Sequence, residues 1–342
     1  MASINRTIYP QLLEPKDAIE WRARYDLTRS ELALAKEHAR GINQVLAFLV
    51  LLKTFQNIGY FVPLTKVPKR IVDHVREQLL DNWRGEKAQL REKLRLSEPT
   101  LYEYQAVIRD YRGVKAYGVA SRAGLVSQLT QAAQTMNSTA DLINVGVEWL
   151  IKERWELPAF STLDRLAGHI KQGVNDTLFD QVYEAMSAEQ KVICRRLLRQ
   201  ASDGGGAEWT RLKMLPGSPT PGNMHELSQH FKWLMTLGEI KGLLAPIPAS
   251  KIMHFASEAL SLPPKELQRG SMKTAKRYTL VLCAIERARI DVRDALGDML
   301  RKRVAMMTIN AQEDLEQMRE SLRELNERIV SMMYDVDVRE IL

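Results

Sequence analysis

Apolar residues in this chain recur at steps of three and four along almost its whole length, and that spacing commits it to helices. Ile42, Val45, Leu46, Leu49 and Leu52 make one such stripe. Leu163, Leu166 and Ile170 make another, continued by Phe179, Val182, Tyr183 and Met186. Strict alternation of apolar and polar residues, the mark of a half-buried strand, is absent from the sequence, as is a convincing hairpin turn. The expected fold class is therefore all-α: several small helical, helix-turn-helix-like units followed by long helices.

Local signals place the helix ends. Thr28 with Glu31 has the spacing of a capping box. Gly41 separates that helix from the next, which ends at Gly59 and Pro63. Pro68 fits the first turn of a third helix whose buried face is Ile71, Val72, Val75 and Leu79. Residues 97–99 act as a breaker, and Thr100 with Glu103 suggests a second capping box. The helix that follows carries Tyr104, Val107, Ile108 and Tyr111 and ends before Gly113. Residues 123–155 read as two more helices, Ser161 as an N-cap with Asp164 three residues on, and residues 190–200 as a basic amphipathic helix. Residues 203–206 and 216–222 are irregular. From Ser271 onward there is no proline and glycine occurs only at Gly297, which predicts one or two long helices. At roughly 100–200 residues per domain, 342 residues make two or three units. The expected divisions are a helical unit at 1–118, a second at 119–202, a flexible break at 203–222, and a linking region at 223–342 that ends in a long helix.

The last stretch contains a heptad-like seam: Leu315, Met318, Leu322, Leu325, Ile329 and Met332, followed by Val336. A coiled coil formed by self-association and an antiparallel hairpin within the domain both fit it.

Charge narrows the partner. Lys and Arg total 49 against 42 Asp and Glu, a net charge of +7, which favours a polyanion without locating it. Cys194 and Cys283 lack a second ligand at metal spacing and read as reduced thiols. The first ten residues do not look like a signal peptide, and the longest apolar run, residues 45–52, is far short of the ~20 residues of a membrane span. A cytoplasmic protein without a membrane partner is expected. Gly204–Gly206 is not followed by the Lys-Ser/Thr of a phosphate loop, no two histidines are four apart, and no Gly-x-Ser-x-Gly elbow occurs. No catalytic residue, metal ligand, cofactor or small-molecule substrate is therefore assigned to this chain.

Duplex DNA is the better fit. Arg91, Lys93, Arg95, Arg109, Arg112 and Lys115 flank a helix bearing Tyr104 and Gln105; the cations can neutralise phosphates, while Gln and Tyr can reach bases or sugars. Arg154, Lys171, Arg195, Arg196 and Arg199 form a second set of candidates. The competing reading is a helical interaction scaffold that uses the seam and has no DNA role.

Residues 147–170, reading VEWLIKERWELPAFSTLDRLAGHI, resemble the N-terminal region of the Tn-three family of replicative transposases. Other blocks follow in order. Residues 27–34 resemble the family's Leu-Thr-x-x-Glu-Leu element, and residues 59–61 with 67–68 its Gly-x-Phe and Val-Pro turn. Residues 108–117 resemble a helix followed by a Gly turn, and residues 276–289, KRYTLVLCAIERAR, a further block. The resemblance implies a region that binds the terminal inverted repeats of a transposon through more than one helical unit. It also implies an RNase-H-like catalytic domain with a metal-binding Asp-Asp-Glu triad further along, beyond Leu342, so a divalent metal is expected only there. The family's counterpart of residues 101–108 is often richer in basic residues and His, where this chain has Tyr102, Glu103, Tyr104 and Gln105.

Overall fold

The computed structural model describes residues 2–83, 94–199, 208–214 and 216–341, with side chains as far as Tyr334. The chain is all-α. Among the described residues no strand forms, and one isolated parallel bridge joins Lys115 to Trp155. Two compact units divide it, Met1–Thr177 and Leu178–Leu342. The boundary falls inside one continuous helix, α8 (Phe160–Ala185). The division read at 118/119 lies between two cores of the first unit, and the break read at 203–206 lies outside the described residues.

The first core of unit 1 is built on α3 (Ile42–Ile58), whose residues 45–52 are all buried. A helix that is apolar all round must be surrounded. It is packed by α1 (Ala18–Tyr25), α2 (Arg29–His38), α4 (Lys69–Asp81) and α5 (Glu98–Arg112). α4 buries Ile71, Val72, Val75 and Leu79, as its spacing requires. Gly41 takes φ 82° before α3, and Gly59 closes α3 in the left-handed region at φ 74°. Two predicted helix starts move. α5 begins at Glu98, with Ser97 as its cap in place of Thr100. Pro99 lies in its first turn, where a missing N–H costs nothing. α8 begins at Phe160, one residue ahead of the proposed cap Ser161, and Asp164 accepts from the Ala2 N–H at 2.8 Å. α1 buries only Tyr25, too little to make an apolar stripe in the sequence.

The Thr28–Glu31 capping box is formed, and Glu31 does more than cap. Its carboxylate accepts from the Thr28 N–H at 2.8 Å, from Lys53 Nζ at 2.8 Å and from Gln56 Nε2 at 2.7 Å. Lys53 projects from the otherwise apolar α3, so the pair is enclosed, with side chains 6% and 5% exposed. Burial pushes the Glu31 carboxyl up. The bonds from Lys53, Thr28 and Gln56 outweigh it and hold the group below its ordinary value. The second core of unit 1 joins α6 (Val119–Ala133) and α7 (Thr139–Lys152) to the start of α8 and to Tyr9. α6 and α7 approach closely at Gly124, where an added Cβ would lie 2.5 Å from the Trp149 ring.

Unit 2 contains α9 (Ala188–Leu198), α10 (Glu208–Arg211), α11 (Pro221–Met235), α12 (Ala249–Ser261), α13 (Pro264–Leu267) and α14 (Thr274–Ile341). Residues 280–285 of α14 are enclosed on every side and form its core. Two arginines of the same stretch tie down neighbouring helix ends. Arg277 donates to the carbonyls of Leu267, Arg269 and Met272. Arg289 donates to Leu234 O at 2.8 Å and Gly238 O at 2.7 Å, closing the C-terminal end of α11. A guanidinium there satisfies orphan carbonyls and opposes the helix dipole together. Arg289→Met is expected to lower the unfolding free energy by about 2–3 kcal/mol, and Arg289→Lys to recover less than half, because an ammonium cannot reproduce the planar fork. Urea melts followed by circular dichroism measure both. Equal stability of the Lys variant and the parent would rule out the fork.

The predicted one or two long helices are a single helix of 68 residues, roughly 100 Å at 1.5 Å per residue. The hairpin alternative for the seam is overturned, because the helix does not turn back. Leu315, Met318, Leu322, Leu325, Ile329 and Met332 are 47–69% exposed and face no other element among the described residues.

Candidate nucleic-acid interface

Three helix C-termini converge in unit 1. α5 ends in a Schellman motif: Gly113, at φ 62°, donates to Asp110 O and Val114 to Arg109 O. α7 ends the same way, with Arg154 donating to Ile151 O and Trp155 to Leu150 O. Here the left-handed residue is Arg154 at φ 57°, the one non-glycine residue with positive φ among those described. The two turns then join. The Lys115 N–H donates to Arg154 O at 2.8 Å, and the Glu156 N–H to Lys115 O at 2.9 Å. Leu157 donates to Gly59 O, bringing in the end of α3.

This backbone arrangement gathers side chains that lie far apart in sequence. Lys115 Nζ lies 4.9 Å from the centre of the Trp155 ring. Arg154 Nη1 lies against Gly113, 3.4 Å from where a Cβ would be. A recess of about 310 Å³ opens between them, lined by Arg112 and Arg154 over Phe55, Ile151, Trp155 and Leu157. Arg112, Lys115 and Arg154 are exposed, and none makes an ion pair among the described residues. Arg109 differs: it pairs with Glu156 at 3.1 Å, lies 5.6 Å from the Phe61 ring centre, and is largely buried. Burial raises the Glu156 pKa, and Arg109 opposes the rise. Arg109 is thus a strut beneath the cluster. Exposed guanidinium and ammonium groups around an apolar, aromatic floor can hold phosphates and shelter the sugar or base edge beside them.

The other predicted residues lie elsewhere. Arg91 and Lys93 fall outside the described residues. Arg95 is exposed ahead of α5, and Gln105 and Lys171 are half-buried on α5 and α8. Tyr104 is a correction. It is 1% exposed, edge-on to Phe48, with its hydroxyl donating to Gln44 Oε1 at 3.4 Å, so it belongs to the core and cannot read a base. Arg195, Arg196 and Arg199 belong to unit 2. Arg196 pairs with Glu208 at 3.1 Å, while Arg195 and Arg199 are exposed. Sequence reasoning missed Trp155, Ile151 and Gly59 as parts of the cluster. A left-handed arginine has no signature in a sequence, so the turn that aims Arg154 was invisible there. Among the described residues no three His, Cys, Asp or Glu side chains gather into a possible metal site. No described helix is long and apolar enough to cross a membrane.

A family described as "Domain of unknown function (DUF4158)" matches residues 1–170. The transposase for transposon Tn501 of Pseudomonas aeruginosa is 24% identical over 284 residues, which is 80% of this chain and 27% of that protein. The chain thus spans about a quarter of that relative's length. Together these matches support a transposase-related family for the chain.

Proposed function

We propose, from this kinship, that the chain is a DNA-binding portion of a transposase that holds the terminal inverted repeats of its transposon. The observation that carries the reading is the convergence of Arg112, Lys115 and Arg154 around Trp155. Arg112 and Arg154 line one recess and Lys115 lies over the Trp155 ring beside it, and none of the three makes an ion pair among the described residues, which suits a phosphate backbone better than a scattered solvated surface would. Arg91, Lys93, Arg95 and Lys171 are further candidate contacts in the first unit, and Arg195, Arg196 and Arg199 are candidates of the second unit taken by itself. The short helices of unit 1 serve as its helix-turn-helix-like elements, and the protein works in the cytoplasm. Catalysis, with its divalent metal, belongs to another part of such a transposase.

The test is a fluorescence anisotropy titration of the purified chain against the inverted repeat flanking its native gene, with a scrambled duplex as control. Three phosphate contacts predict about a 40-fold loss of affinity between 50 and 200 mM salt. Tighter binding to the repeat at both salts is expected. Equal affinity for both duplexes would overturn end recognition. Absence of binding to either would favour the scaffold reading, which rests on the exposed seam.

A further inference from the structure

The exposed end of α14 has no role in holding DNA through unit 1, and its surface is patterned. Counting heptads with Leu315 at position a, the inward positions from residue 304 to 332 are Val304, Thr308, Ala311, Leu315, Met318, Leu322, Leu325, Ile329 and Met332. This is an unbroken run of about four heptads, which meets the length a stable coiled coil needs. The outward f positions are Met306, Glu313, Glu320, Glu327 and Tyr334, and Glu316, Arg323 and Glu324 also lie outside the seam. Arg323 Nε lies 3.3 Å from Glu327 on that outer face. The carboxylates have been kept off the seam, while the seam itself is left bare: Leu322 is 62% exposed, Met318 69% and Met332 68%. A stripe of this length, apolar at every inward position but Thr308, on an unsupported helix marks an interaction surface.

The flanking positions indicate what covers it. In a parallel pair, a residue at g faces the e residue five places on in the other chain. Here that places Asp314 against Arg319, Ser321 against Asn326 and Arg328 against Met333, with Met307 against Gln312. One contact joins opposite charges, it occurs twice by symmetry, and none joins like charges. An antiparallel pair that used the whole seam would centre near residue 320 and bring Arg319 beside its own copy. One shifted to avoid that would either keep only residues 315–332 or pair residues 304–329 without an opposite-charge contact and set Met332 against Arg301. A parallel, in-register arrangement therefore uses the whole seam without a like-charge contact. We infer that residues 304–332 of α14 pair with the same residues of a second copy of this chain as a parallel two-stranded coiled coil. The inference is independent of the DNA reading, since it uses neither Trp155 nor the cations around it.

Sedimentation equilibrium of the whole chain is expected to give a two-chain mass at micromolar concentration. Leu322→Asp with Leu325→Asp should raise the dissociation constant by at least ~100-fold, because buried unpaired carboxylates are costly. Both positions project from α14 beyond the packed core, so the melt of the remaining structure should be unchanged. Orientation is read by Met318→Cys and Met332→Cys, made separately. A parallel in-register pair sets each against itself at a Cα separation of about 6 Å, which permits a disulfide. An antiparallel pair can do so for at most one of them. Cys194 and Cys283 are buried and do not compete. Arg319→Asp should weaken the dimer, and adding Asp314→Arg should restore it. A chain that stays monomeric at ~100 µM, a three- or four-chain mass, or crosslinking of only one cysteine variant would each overturn the proposal.

Discussion

Glu31→Ala is expected to cost about 3–5 kcal/mol, the largest loss from any one side chain described here, because it leaves the Lys53 ammonium enclosed without its carboxylate. Lys53 is 4% exposed and cannot reach water without disturbing α3. Against a total stability of roughly 5–15 kcal/mol, that loss is enough to lower the melting temperature by about 10 °C. Replacing both partners with apolar residues, Glu31→Leu with Lys53→Met, should recover most of it, since two charges no longer need solvation. The pair also makes stability depend on acid. The folded Glu31 carboxyl is held below its ordinary value of 4.5. Its contribution is therefore complete above the unfolded value and is lost as pH falls through the depressed one. Urea melts between about pH 2.5 and 7 should show a flatter acid limb for Glu31→Ala than for the parent. A single variant within ~1 kcal/mol of the parent would remove the pair from the account of this fold.

The second large effect concerns Arg154, where stability and binding should move in opposite directions. A non-glycine residue in the left-handed region costs about 1–2 kcal/mol. Arg154→Gly should therefore hold or raise the melting temperature while removing a cation from the recess. If the arginine served only to offset the dipoles of the converging helix ends, its removal would destabilise the unit and leave DNA affinity alone. The triple variant Arg112→Gln, Lys115→Gln, Arg154→Gln extends the test. It should weaken binding about 100-fold or more at low salt and reduce the slope of log affinity against log salt by about 3. Specific and scrambled duplexes should suffer alike, because phosphate contacts position without reading sequence. Anisotropy titrations and thermal melts on the same preparations decide it. An unchanged salt slope would rule out these three side chains as phosphate contacts.

Much of this architecture was legible in the order of residues. The stripe through Ile42 and Leu52, the glycines at 41 and 59, and the Thr28–Glu31 spacing act over one or two helical turns, and so does the heptad seam. A helix is fixed by groups three and four residues apart, which a sequence displays directly. The all-α class followed, as did the long proline-free α14. What the sequence could not display is which faces meet. Tyr104 and Arg109 share one helix with Arg112, yet packing places the first inside, pairs the second with Glu156, and leaves the third open. Lys53 reads as an interruption in an apolar helix until Glu31 is seen beside it. The seam could have folded on itself or stood free, and only the uninterrupted course of α14 decided that. The recess around Trp155 depends on two C-terminal turns that lie about forty residues apart and are joined through Lys115. Such contacts depend on chain crossings and burial, so local composition determined the helices and tertiary structure determined which of their charges remain free to bind.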